Sequence, residues 1–119
     1  MNARYTALDI ANFFIQLACD LQDTSMDNLK VNKMVYYAQA WSVAKNNRTL
    51  FDEEIQAWDY GPVIPSVYRT YKSCGKNPIA EPQEHFDERR LLSDDLELLV
   101  DVYQTYNRFT GKALIDMTH

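Results

Sequence analysis

The chain is poor in the residues on which most active sites depend. Of its 119 residues only three are glycine, two are cysteine and two are histidine. So few glycines leave no loop able to cradle a phosphate, and no Gly-x-Ser-x-Gly turn occurs. Cys19 and Cys74 lie far apart, without Cys-x-x-Cys spacing, and read as two reduced, buried thiols. His85 and His119 have no Cys, His or Asp at helical ligand spacing, so no metal site is expected. Neither histidine is placed to serve as base to a Ser or Cys nucleophile. Long hydrophobic runs are absent too: no stretch reaches the roughly 18 apolar residues a membrane span needs. Met1 to Asp9 lacks the basic-then-apolar order of a signal peptide, which makes the cytoplasm the expected compartment.

Positive charge is also scarce. Twelve basic residues against seventeen acidic ones give a net charge of −5, the wrong sign for a phosphate-backbone binder. The acid is uneven. Glu81, Glu84, Asp87, Glu88, Asp94, Asp95, Glu97 and Asp101 face only Arg89 and Arg90 over that segment. Such a surface repels DNA and draws in a basic protein, although an ordinary solvated face would look the same. Asp52, Glu53, Glu54 and Asp59 offer carboxylates for acid–base work, but adjacent acids equally solvate a turn.

What the chain has is apolar and aromatic material, with 46% hydrophobic residues and eight tyrosines. One domain of this length buries enough surface for a core without staples. Apolar spacing predicts a first helix over Ala7–Asp23, capped by Thr6 with Asp9 and buried along Ile10, Phe14, Leu17, Ala18 and Leu21. A second follows over Asn28–Lys45, capped by Asp27 and stopped by a left-handed residue at Asn46 or Asn47. Its wide apolar arc, through Val31, Met34, Val35, Ala38 and Trp41 or Ser42, marks it as the centre of the fold. Residues 50–64 read as a short extended, hairpin-like insert. Ile55–Trp58 forms a strand there, Tyr60-Gly61-Pro62 a turn, and Pro78–Ala80 a pairing partner. Pro65 opens a third helix running to Cys74. After a loop over Lys76–Arg90, Ser93 caps a fourth helix to Tyr106, buried along Leu96, Leu99, Val100, Tyr103 and Tyr106. Thr110 caps a last short helix through Leu114 and Ile115. Phe14, Met34, Ala38, Leu96 and Leu99 are the expected core. The fold class is therefore mostly α: a single compact helical domain over residues 1–119 with one extended insert.

On the second helix Lys30, Lys33, Tyr37 and Trp41 share one face, two cations beside two aromatics. That pattern suits a stacking-and-charge surface for nucleic acid. It equally suits lysines that snorkel beside a buried seam.

Two stretches carry a family resemblance. Asn28-Leu29-Lys30-Val31-Asn32-Lys33-Met34-Val35-Tyr36-Tyr37-Ala38-Gln39-Ala40-Trp41 resembles the leading motif of the SocA-like antitoxin (Panacea domain) family, which includes phage-associated proteins. Leu50 to Tyr68, with its Ala57-Trp58-Asp59-Tyr60-Gly61-Pro62-Val63 string, resembles the second motif, in the family's order and separation. Thr118-His119 is a third, looser match. Val31 and Asn32 stand where Leu and Gln are usual. Members run on past Thr-His to a Pro-Trp segment, so this copy is expected to lack the family's C-terminal segment. The resemblance implies a binding protein rather than an enzyme, with no cofactor. Its partner would be a cognate toxin, and in the SocA type an AAA+ protease to which the toxin is presented. A phage-borne inhibitor of a host protein, and a nucleic-acid regulator using Lys30, Lys33 and Tyr37, are the alternatives. Hot-spot chemistry favours Tyr and Trp on rigid backbone. The expected partner-binding residues are therefore Asp59, Tyr60, Gly61, Pro62 and Tyr68, with Lys33 and Tyr37 on the adjoining helix face.

Overall fold

A computed structural model describes residues 3–59 and 61–118, apart from the side chains of residues 115 and 118. Helix α1 spans Ala7–Asp20. Thr6 accepts the amide of Asp9 through its side chain, and Asp9 returns a carboxylate to the Thr6 amide, so two otherwise orphaned N–H groups are answered. The helix ends one turn before the predicted Asp23, because Gln22 takes a left-handed φ of 57°. Leu21 therefore leaves the apolar stripe and is 61% exposed.

Helix α2, Asn28–Asn46, starts from Asp27, whose side chain accepts the Lys30 amide, and stops at Asn47 in left-handed geometry. It packs against α1 and against every later helix described below. Residues 30 to 35 are buried without interruption, which requires neighbours all round.

The insert is a two-stranded antiparallel hairpin, β1 (Gln56–Trp58) with β2 (Gly61–Val63). Gly61 supplies the positive φ of 83° that returns the chain. The predicted pairing of Ile55–Trp58 with Pro78–Ala80 does not form. The Ile79 amide instead donates to the Met26 carbonyl, at 2.8 Å. Helix α3, Pro65–Thr70, is shorter than expected and gives way to a 3-10 turn over Lys72–Cys74.

The segment from 76 to 92 holds one 3-10 turn, Glu88–Arg90, and lies tied across α1. The Tyr71 hydroxyl donates to Asn12 Oδ1 and accepts the Gln83 amide. Gln16 brackets Phe86 through its amide and its carbonyl. Ile79, Phe86 and Leu91 are buried as a result. Cys19, expected to be buried, is exposed, and Cys74 is half-buried; both are free.

Helix α4 spans Ser93–Tyr106. Leu92, not Ser93, is its N-cap residue, and it makes no side-chain cap. The buried face is Asp95, Leu98, Leu99, Val102 and Tyr103. Leu96, Val100 and Tyr106, predicted on that face, pack against its border half-exposed. Buried Asp95 accepts from the Tyr5 hydroxyl and from Arg48, both at 2.8 Å. Helix α5, Gly111–Thr118, follows a cap in which Thr110 accepts the Ala113 amide. Gly111 lies so close to α2 that a Cβ there would meet Asp27 Oδ1 at 3.2 Å and Leu29 Cβ at 3.3 Å. Phe14, Met34, Ala38 and Leu99 sit together in the core, with Leu96 at its edge.

Candidate functional site

The first turns of α2 carry an unusual load of buried polar groups: Asn28, Lys30, Asn32 and Lys33. Each is answered by backbone from a remote segment. Asn28 donates to the Tyr68 carbonyl in α3, at 3.0 Å. Asn32 donates to Asn28 and accepts the Ile64 amide at 3.1 Å. The Lys33 ammonium donates to the Pro62 carbonyl at 2.5 Å. Burial, with no carboxylate among the described residues to offset it, pulls the Lys33 amine down to about 8. Lys30 donates to Ser25 Oγ at 2.6 Å and to the Asn107 carbonyl. Burial lowers its pKa as well, while Asp23 and Asp27 push the other way.

Neither lysine is therefore available to phosphate. The Lys30–Lys33–Tyr37 face proposed for nucleic acid is corrected by this geometry: both ammonium groups point into the molecule and are consumed by carbonyls. The lysines do not snorkel outward either.

Above Lys33 stands the hairpin. Trp58 meets Tyr68 edge to face, with ring centroids 5.1 Å apart, and bonds Gln56 through its indole N–H. Beside it, Tyr36, Ile55, Gln56, Ala57, Trp58, Gly61 and Pro62 line an open, mainly apolar groove of about 340 Å³. Tyr36 continues the surface into an aromatic strip. It tilts against Tyr37, which stacks on Tyr106 at 4.0 Å, and Trp41 Nε1 donates to the Tyr106 hydroxyl. Burial, then the neighbouring tyrosines, raises the Tyr37 hydroxyl's pKa.

The structure thus gathers Asp59, Gly61, Pro62, Lys33 and Tyr68 at the hairpin, and sets Tyr37 one ring further along. Tyr60 and His119 lie outside the described residues. Tyr36, Ile55 and Ala57 were not among the expected partner-binding residues. Tyr36 adjoins Tyr37 in the first motif, but only the folded arrangement places it across from β1. Among the described residues, no three His, Cys, Asp or Glu side chains converge as a metal site would require. Nor is any helix long and apolar enough to cross a membrane.

The sequence profile of the Antitoxin SocA-like, Panacea domain family matches residues 31–119, which include most of α2, the hairpin and all that follows. The chain belongs to this SocA-like antitoxin family. It is 33% identical over 66 residues to Antitoxin SocA of Caulobacter vibrioides (strain NA1000 / CB15N), a match covering 56% of this chain and 35% of that protein. The chain thus spans about a third of the curated relative's length. No solved structure matches. The matched span includes Asn32, Lys33 and Tyr36 of α2 and the whole hairpin, the residues that build the anchored hairpin and its groove.

Proposed function

We propose that this member of the family is an antitoxin that binds a cognate toxin protein in the cytoplasm, acting by contact rather than by catalysis. The observation that carries the reading is membership of the SocA-like family across residues 31–119. The geometry adds a means. The half-buried rings of Trp58, Tyr68, Tyr36 and Tyr37 flank a groove whose backbone is already held by Lys33 and Asn32. Pre-ordered aromatic area is inexpensive to bind, since little freedom is lost on docking. The same surface serves direct neutralisation and an adaptor role in which the bound toxin is passed to an AAA+ protease.

The test is co-expression with the product of the adjacent reading frame in a bacterial host. Rescue of growth and a co-eluting complex are expected. Trp58→Ala should weaken the complex by about thirtyfold or more, the size of a hot-spot loss, while leaving the melting temperature within a few degrees. Failure to rescue, together with no complex by size exclusion, would overturn the reading.

A further inference from the structure

The two edges of the hairpin are treated differently. Pro62 has no N–H, so its pairing with Ala57 is a position where neither residue bonds across the ladder. At such a position the backbone groups of both residues point outward, away from each other. On the β2 side the outward groups are answered. The Pro62 carbonyl accepts Lys33, and the Ile64 amide, two residues on, donates to Asn32. Two side chains from α2 thus take the place of a third strand. On the β1 side they are not. Among the described residues, neither the Ala57 amide nor its carbonyl has a hydrogen-bond partner, and Ala57 is exposed. A bare strand edge of this kind is a template for another strand.

That edge borders the apolar groove, and exposed acids flank it in sequence. Asp52, Glu54 and Asp59 are exposed, and none enters an ion pair among the described residues. We propose that the free edge of β1, centred on Ala57, accepts an extended segment of the partner protein as an added strand, with apolar side chains in the groove and flanking Lys or Arg beside Asp52, Glu54 and Asp59. Main-chain bonds to Ala57 supply the register, and alternate side chains supply selectivity. The acids speed encounter with a basic segment. That the segment belongs to a toxin rests on the antitoxin reading; the use of the edge does not.

The test replaces Ala57 by Pro. An edge strand tolerates proline where the N–H faces outward, so the hairpin keeps its own bonds while the edge loses its donor. A display library of short random peptides is selected against the immobilised wild-type chain. Enrichment of peptides with alternating apolar residues flanked by Lys or Arg is expected. Their affinity should fall about tenfold for Ala57→Pro, as loss of a main-chain bond predicts. If the Ala57→Pro chain melts early, the pair Glu54→Lys and Asp59→Lys replaces it; both positions are exposed, and selected peptides should lose a comparable factor. Peptides without basic flanks, or binding unchanged within twofold in a folded variant, would overturn the inference. So would concentration-dependent dimers of the wild type that Ala57→Pro abolishes, since the edge would then serve a second copy. In cells, equal rescue by wild type and Ala57→Pro defeats the strand-addition inference and leaves the antitoxin reading standing. Absence of rescue by the wild type defeats the antitoxin reading, and the peptide arm then decides the edge alone.

Discussion

Lys33 places its ammonium 2.5 Å from the Pro62 carbonyl, inside the protein and, among the described residues, without a counter-charge. The folded amine titrates at about 8 against 10.5 when free. Below pH 8 both states hold the proton and the fold bears the full cost of a buried charge. Between 8 and 10.5 the unfolded chain keeps a proton that the folded chain has released, so stability rises with pH. The expected gain of wild type relative to Lys33→Met, from pH 7 to pH 10.5, is roughly 1–3 kcal/mol in urea unfolding. A difference that stays flat across that window would show that Lys33 is not buried as described.

Asn32 is the other support of the hairpin. Asn32→Ala leaves the buried Ile64 amide without its acceptor, at a cost of about 1–3 kcal/mol. Hydrogen exchange read residue by residue should show the Ile64 amide opening faster than its neighbours in α3. Unchanged exchange at Ile64 would count against the contact.

In the core, Leu99 is fully buried. Leu99→Ala should cost about 2–5 kcal/mol, whereas Leu21→Ala, in a side chain 61% exposed, should stay within about 0.5 kcal/mol. Chemical denaturation of the two variants side by side checks both.

Arg48 and Arg89 offer a contrast in ion pairs. Arg48 reaches Asp95, whose side chain is 1% exposed, while Arg89 pairs with Asp87 at the surface with 88% of its own side chain exposed. Among the described residues, Arg48→Ala leaves the buried Asp95 carboxylate with only Tyr5 as donor, and it should lower the melting temperature clearly. Arg89→Ala should leave it unmoved. Equal effects would mean Asp95 is more hydrated than the structure places it.

The helices were legible because their signals are local. Thr6 with Asp9, Asp27, and Asn47 act within a turn of themselves, and apolar spacing set the rest. The hairpin was half legible. Ile55–Trp58 reads as a strand, but Tyr60-Gly61-Pro62 reads as turn alone and Pro78–Ala80 as the partner, whereas the partner strand already begins at Gly61. The register resolves this, since Pro62 sits where no N–H is called for. The buried lysines were not legible. Their acceptors, the carbonyls of Pro62 and Asn107, are 29 and 77 residues away in sequence, and nothing beside Lys30 or Lys33 announces them. The proposed partner face is legible only through its turn residues, while the placing of Tyr36 across from the Ala57 edge exists only once α2 and the hairpin meet.

A two-stranded ribbon has little standing of its own in water. Here its outer carbonyl and amide are answered by Lys33 and Asn32, which precede it in the chain. During synthesis α2 therefore leaves the ribosome before the strands that need it. The ribbon can close onto a support already in place, and its folding is bound to the helix rather than to the turn. A lesion at the start of α2 would then register as an unzipped ribbon nearly thirty residues downstream, with the turn sequence itself intact.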